Sequence, residues 1–558
     1  MKYLIKIKYQ LLVMLLIIGF GSCTKNFEEI NKDPNNPVDV PAINIFTNAL
    51  ESSIDRQLGG WIQHTYLGPW SQQWTKVMYI DEDKYMPRDM SGDFDGPYSA
   101  DLKNLQIIID KTTANGDDRL LAAAKIMRVW VFMHLTDMFG DIPYSEALQG
   151  FSEDGTLTPV YDTQESIYTA CLAELEEANV FLTGTTLNFG AGDIVYGGDP
   201  VKWRKFANSL KLRLLNRAAG TPWTFTYNMA GTQTDVTTSP GAAALSTADA
   251  QIAAILANPS QYPVFESNDD NMMLVYPGLP YRNPIYNTLY SRTDQGISET
   301  TVNWLKARND PRIHIYAQPT PLSQTTPPAN YNGFQNGRGI NSAPFPQISL
   351  LGTKVAYTEK APTYVMTYDE VEFIKAEYYM RAANDADAKT AYENGIVASM
   401  GKWGLADGST VSPTYGKLTI STMTESYPVN FATYLANPLV SWGGTNAEKF
   451  QKICEQRWAS MFGQGVQAWH EVRRTGFPAR IFEYELEGAY YPNLGMPVRV
   501  QYSTSEETYN TNNLTAARTR QNIEQSNEGM FSTNGISSQM WWNTRKNPIP
   551  TEIDPPLK

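Results

Sequence analysis

Along most of its length the chain places apolar residues at steps of three and four, the spacing that gathers them on one face of an α-helix. Leu102, Leu105 and Ile109 mark one such face, and Leu120, Ala124, Met127, Val131, Leu135 and Met138 mark the next. Asn115-Gly116-Asp117 between them reads as a turn. A second pair of helices is predicted over 163–182 and 201–219, where Trp203, Phe206, Leu210 and Leu214 share a face. A third covers 368–383 and 386–402, joined at Asn384-Asp385, with Ala376, Ala388 and Ala391 small enough for close packing. The last helical block spans 446–474 and carries Phe450, Ile453, Cys454, Met461 and Phe462, with Gly463 and Gly465 dividing it in two. A helical pattern also covers 41–76, interrupted at Gly59-Gly60 and ending in the aromatic-rich stretch TYLGPWSQQWTKVMY.

Two-helix units of about 34 residues with small residues at the crossing resemble tetratricopeptide hairpins, although here they are scattered rather than contiguous. The fold class expected is therefore mainly α, a scaffold of helix pairs with long irregular inserts over 221–246, 268–300, 320–358 and most of 477–558. Loops of that length inside a domain are functional, disordered or packed by their own side chains. Their Tyr, Trp, Pro and Asn content favours ordered loops lying over the scaffold, and no linker divides the chain.

The first 37 residues follow a different pattern. Lys2, Lys6 and Lys8 precede an unbroken apolar run from Leu11 to Ile18, and Gly21-Ser22 stand immediately before Cys23. This is the layout of a secretory signal. An apolar core of about eight residues is too short for a bilayer that needs about 20 in a helix. A cysteine directly after small residues resembles a bacterial lipobox, although Phe20 stands where Leu is usual. That resemblance implies cleavage before Cys23 and its lipidation with palmitate-type acyl chains. Each buried CH₂ contributes about 0.8 kcal/mol, so several chains on one residue anchor stably. The stretch after Cys23 is polar and carries Pro34, Pro37 and Asn35-Asn36, which reads as a leash. The division expected is a signal peptide over 1–22, a lipidated flexible tether over 23–37 and one α-helical ligand-binding domain over 38–558.

Composition narrows the partners. A 42% apolar and 12% aromatic chain can build a large core, and 18% charged residues leave a surface of uncharged polar groups. The formal net charge of −13 becomes about −16 once the signal lysines are removed, which argues against nucleic acid or anionic lipid as partner. A neutral polar ligand fits better, and the membrane is reached through the N-terminal lipid only. Cys171 and Cys454 fall in helical patterns and are expected as buried free thiols.

Catalytic motifs are scarce. His64, His134, His314 and His470 lack the spacing of a zinc-binding helix, and Arg474 stands where a second histidine would complete His470-Glu471. Structural roles are expected for all four. No nucleophile elbow or phosphate loop occurs. A glycosidase needs only two suitably placed carboxylates, and Asp81-Glu82-Asp83 is the best such cluster, with a solvated acidic turn as its expected role. Asp93-Phe94-Asp95-Gly96 opens like a calcium loop but lacks the later oxygen ligands. No metal and no cofactor are assigned. Lys202, Arg204, Lys205, Lys211, Arg213 and Arg217 form a basic helix face, expected to be solvated or ion-paired in so acidic a chain.

The loop aromatics carry more information. Trp70, Trp74, Tyr79 and Tyr85 fall in one loop, and Tyr276, Tyr281, Tyr286 and Tyr290 surround Arg282 and Asn283 in another. Exposed rings are costly unless something covers them. Flat rings stack on the apolar faces of sugars, and nearby polar groups take the hydroxyls. The ligand-binding residues nominated are Trp70, Trp74, Tyr79, Tyr281, Arg282 and Tyr290.

Several long phrases occur in order: FEEINKDPNNP at 27–37, LTDMFGDIPYSEAL at 135–148, KFANSLKLRLLNR at 205–217, YPVFESNDDN at 262–271 and EQRWASMFGQGVQAWHEVRRTGFP at 455–478. With the lipobox at Cys23 they make the chain resemble the SusD/RagB family of Bacteroidetes outer-membrane lipoproteins over nearly its entire length. The resemblance implies a tetratricopeptide-like helical protein, lipid-anchored in the outer membrane and facing the cell exterior. It implies the lid of a TonB-dependent (SusC-like) transporter, catching a nutrient, usually a glycan, without catalysis. Individual binding residues are not carried over, because in the family they lie in variable loops. Two other readings stay open: peptide or protein capture by the same architecture, and a surface glycoside hydrolase using Asp81, Glu82 or Asp83.

Overall fold

The computed structural model describes residues 40–523 apart from 60, 87, 151–154, 220–227, 230–242, 245–247, 325–327, 340–346, 415–424, 480 and 482–495, together with 540–542. Its helices begin and end where the sequence supplies caps. α1 is Ala42–Ile54 and α2 is Lys103–Asn115, which ends on Gly116 at φ 69°, a left-handed position suited to glycine. Asp117 then caps α3, Asp118–Phe139, by accepting from the Leu120 N–H. Thr163 caps α4, Gln164–Phe181. Asp199 caps α5, Pro200–Ala218, with proline at the first helical position. α6, Tyr368–Arg381, is followed by α7, Asp385–Lys402, capped by Asn384. Thr445 and Glu448 form a reciprocal capping box on α8, Asn446–Ser460, and α9 is Gly465–Thr475.

Sequence neighbours pack in space. α1 lies on α2, α2 on α3, α3 on α4 and α4 on α5; α6 pairs with α7 and also packs on α5 and α8. This is the helix-pair scaffold the periodicity predicts. α3 is its hub, buried from Leu120 to Phe139 except at Lys125 and Arg128, which reach Glu177 and Glu174 on α4. One hydrophobic core runs from Phe46 to Trp542. Each fully buried Leu or Phe in it contributes roughly 1.5–3 kcal/mol.

The basic face of α5 is ion-paired and buried in its C-terminal half, whereas Lys202, Arg204 and Lys205 are half-buried, with Lys205 paired to Glu266 and Asp270. Lys211 pairs with Glu176, Arg217 with Asp137 and Arg213 with Glu370, the last at 2.6 Å. Glu370 also meets Arg457 of α8 at 3.3 Å, and Glu377 meets Arg474 of α9 at 2.6 Å. Burial alone would raise the Glu377 carboxyl, but Arg474, Arg381 and Arg457 hold it down to about 2. Cys171 and Cys454 are buried free thiols. Burial pushes His134 down to about 3 and His470 well below the usual imidazole range, so both are neutral core residues.

Two expectations are revised. The helix expected over 41–76 continues after α1 as wide turns, Asp55–Gly59 and Ile62–Leu67, then Gly68–Trp70, and gives way to a strand, Trp74–Lys76. That strand pairs antiparallel with Gln295–Ile297. The cause is long-range: α9 packs on Ile62–Trp70, and a Cβ on Gly465 would stand 2.6 Å from the Gly68 nitrogen. The insert over 268–300, expected as an ordered but irregular loop, carries regular elements: strand Met272–Leu274 on Thr363–Met366 and a helix at Pro284–Leu289. Most of 221–246, much of 477–558 and all of 1–39, including Cys23, lie outside the described residues.

Candidate ligand-binding surface

The nominated rings divide into two groups. Trp70 is 4% exposed and sits edge-on to Tyr66, Tyr85 and Trp469, and its indole N–H donates to the Glu82 carbonyl at 3.0 Å. Trp74 is 1% exposed and packs beside Phe462. Both faces of the expectation fail for these two: a ligand reaches neither ring, because α8, α9 and their connection cover them. The other four lie at the surface or near it. Tyr79 is 70% exposed, at φ 58°, with the Arg292 guanidinium 5.9 Å from its ring centre. Tyr281 and Tyr290 are exposed, and Tyr290 stacks on Tyr286 at 5.4 Å and 23°. Arg282 is held between Glu359, 3.0 Å away, and the Tyr286 ring.

The backbone fixes these segments to each other. Val77 and Met78 both donate to the Asp294 carbonyl, which sets Tyr79 beside Arg292. Asn283 caps the helix Pro284–Leu289 and donates to the Ala361 carbonyl at 3.0 Å. Tyr276 is buried and donates to Asp55, whose carboxyl burial raises to about 6. A Cβ on Gly59 would stand 1.9 Å from Pro284, so the turn before Trp61 lies directly against the helix leading to Tyr290.

Trp61 is an exposed ring that sequence reasoning did not nominate. It is 43% exposed, with Arg88 4.9 Å and the Lys76 ammonium 5.9 Å from its ring centre. Its signal was its position immediately after the Gly59-Gly60 interruption, where a helix must open and a large ring has no partner in the heptad-like pattern. Trp61, Tyr79, Tyr281 and Tyr290 are exposed, with Arg88 over the Trp61 ring, Arg292 over the Tyr79 ring and Arg282 over the Tyr286 ring. Exposed rings of this kind can stack on apolar faces, and guanidinium groups can donate hydrogen bonds beside them.

The acidic cluster is not a catalytic pair. Asp83 is buried and accepts from the Thr75 hydroxyl at 2.8 Å and from the Lys76 and Gly337 N–H groups at 2.8 and 3.2 Å. Burial pushes its carboxyl up to about 7 against these bonds. It fastens the strand to the 337 turn, so the expected solvated turn is a structural clamp at this residue. Asp93 to Gly96 lie in the helix Ser91–Gly96 and form no calcium loop. Among the described residues no group of three or more His, Cys, Asp or Glu side chains is placed to hold a metal ion.

Residues 34–234 and 236–503 match the SusD-like family, described as starch-binding and associating with the outer membrane. The chain belongs to the SusD-like family. Solved structures agree in fold. A SusD homologue from Bacteroides fragilis is 24% identical and matches 91% of this chain and 100% of its own, with a TM-score of 0.68. A chitin-binding protein is 24% identical over 90% of this chain and 100% of its own, TM-score 0.68. A chitin-binding SusD homologue from Flavobacterium johnsoniae is 23% identical over 90% and 99%, TM-score 0.67. No curated protein matches the chain. The SusD-like family is one of binding proteins, and this member is not an enzyme. The family associates with the outer membrane, and among the described residues no helix is long and apolar enough to cross a membrane.

Proposed function

We propose that this SusD-like protein captures an oligosaccharide at the cell surface and delivers it to a TonB-dependent, SusC-like transporter as that transporter's lid. One observation carries the capture: the rings of Trp61, Tyr79, Tyr281 and Tyr290 are exposed, with the Arg88, Arg282 and Arg292 guanidinium groups beside them. Rings of this kind cover the C–H faces of a sugar at small entropic cost, and guanidinium groups donate to its hydroxyls. The family description as starch-binding and the two chitin-binding relatives support a glycan as the ligand.

The rest of the reading is an address. Residues 1–22 are a signal, 23–37 a tether lipidated at Cys23, and 38–558 one ligand-binding domain facing the cell exterior. The unbroken core from Phe46 to Trp542 supports the single domain, and the family's outer-membrane association supports the anchor. Delivery to the transporter rests on the family resemblance.

The test is a soluble form starting after Cys23, incubated with panels of glycans and peptides, recording both retention and any change in the ligand. Retention of an intact sugar, weakened by Trp61→Ala, is the expected result. Retention of peptides alone replaces the oligosaccharide by a peptide, and a cleaved ligand overturns the non-enzymatic reading.

A further inference from the structure

A cleft of about 1030 Å³ opens where the end of the helix Glu299–Ala307 and the turn to Ile313–Tyr316 face the segment 427–438. No ring of the loop surface lines it. Its volume is that of a ligand site, on the order of 300–1,000 Å³. On one wall the Tyr427 and His314 rings stack at 4.1 Å and 16°. His314 is 8% exposed and its Nδ1 bonds the Tyr331 hydroxyl at 2.7 Å. A phenol is the better donor of that pair, so Nδ1 accepts and Nε2–H remains a donor. Tyr427 is half-buried, and its hydroxyl donates to Glu425, which also accepts from the Ala329 N–H. The aromatic wall is thus held from both sides.

The rim is made of amides. Asn309 and Asn330 carry no side-chain bond among the described residues, and both are exposed. Asn430 uses its Oδ1 to accept from the Thr433 N–H at 2.8 Å and keeps its NH₂ group for another partner. The charges beneath are neutralised within the protein: Arg308 by Glu455, and Arg312 by Asp310 at 2.6 Å. Asp310 also accepts from the Tyr434 hydroxyl, and Gln456 joins Arg312 to Tyr434. This network fixes the back of the cleft, so little ordering entropy remains to be lost on binding. What faces the opening is rings, amides and one exposed ammonium, Lys306. A single exposed cation on a chain of net charge −13 does not make an anion site. Rings with neutral donors and acceptors suit a neutral, hydroxyl-rich ligand.

We propose that this cleft is a second saccharide site, separate from the loop surface, which takes an uncharged sugar unit against Tyr427 and His314. It deepens the glycan-capture reading and rests on it. Two sites on one chain would let a long glycan be held at two points, raising its residence without a tighter individual site.

The chain has only four histidines, and only His314 lines the cleft. This gives a direct probe. The soluble protein, labelled with ¹³C at histidine Cε1, is titrated with malto-, chito- and xylo-oligosaccharides, and His314→Gln identifies the resonance. Burial holds the His314 pKa down to about 4, so at neutral pH its resonance reports ligand and not titration. The expected result is a saturable shift of the His314 resonance that persists in Trp61→Ala. Tyr427→Ala should weaken it by about tenfold or more, and Tyr427→Phe should retain it. Calorimetry alongside separates the failures. Sugar binding that Trp61→Ala abolishes, with the His314 resonance unmoved, overturns the cleft and leaves the loop surface standing. No sugar binding by either readout overturns both. A shift produced by peptides alone overturns the saccharide class.

Discussion

The seam where α5 meets α6, α8 and α9 is packed with charge, whereas the surface around Trp61 and Tyr79 is built of rings. In the seam Arg213, Arg457, Glu370 and Glu377 are buried, and Arg474 is half-buried. At the surface Trp61, Tyr79, Tyr281 and Tyr290 stand exposed while Trp70 and Trp74, a few residues away, are sealed. Residue type therefore misleads in both places, and the partner element decides. A basic helix face goes inside when acidic helices cover it, and a ring stays outside when its backbone is held by a strand and a turn that no helix covers.

Glu370→Ala is the sharpest way to break the seam. It leaves Arg213 with only the Val365 carbonyl and removes one of the partners of Arg457. Removing one partner from a buried ion pair costs about 3–5 kcal/mol. The unfolding free energy from urea denaturation should fall by about that amount, as a lower midpoint at an unchanged slope. A midpoint within error of the parent would mean that the seam is not held by charge.

Trp70→Ala breaks the contrast from the other side. It empties a space bounded by Tyr66, Tyr85 and Trp469 and leaves the Glu82 carbonyl without its indole donor. A buried tryptophan truncation costs about 3 kcal/mol or somewhat more, visible as a lower Tm. Sugar affinity measured well below that Tm should change little, since the ring faces no ligand.

The clamp at Asp83 gives a smaller, pH-dependent effect. Its folded pKa, raised by burial to about 7, lies above the ordinary carboxylate value of 3.8, so the fold favours the protonated form. Its contribution is full below the unfolded value and is lost as pH rises through about 7. Glu377 runs the other way: its folded pKa of about 2 contributes stability above the unfolded value of 4.5, which is lost as pH falls toward 2. Asp83→Asn should therefore flatten the loss of Tm between about pH 4 and pH 7 while leaving the more acid limb, where Glu377 titrates, unchanged. A decline over that window identical to the parent's would assign it to other groups.

The helix pairs were legible because their signals are local. Periodicity, Gly116 with Asp117, Asn384 and the Thr445 capping box lie within the segments they organise. The family phrases were legible for the same reason. The site was legible only in kind. Aromatic loops were nominated from the sequence, but Trp70 and Trp74 are covered by Trp469 and Phe462, almost 400 residues away. No periodicity carries that contact. Trp61 escaped because the Gly59-Gly60 break reads as an interruption, whereas its consequence is the approach of Pro284. The Asp81 to Asp83 cluster reads as an exposed turn because its clamp partner is the distant Gly337 N–H.

The smallest effect on stability is the most informative about function. Trp61 is half exposed, and its ring contacts are the Arg88 guanidinium, the Lys76 ammonium and the edge of His64. Trp61→Ala removes no core packing of the kind lost at Trp70, so the unfolding free energy should change by no more than about 0.5 kcal/mol. If the loop surface is the capture site, the same substitution removes a stacking face worth about 0.5–1.5 kcal/mol beyond its area, a loss of roughly three- to tenfold in sugar affinity. The two tryptophans then separate cleanly: Trp70 is felt in Tm and not in binding, Trp61 in binding and not in Tm. Parent-like sugar binding by Trp61→Ala, alone and combined with Tyr79→Ala, would remove the exposed rings from the site and leave the fold account of both regions intact.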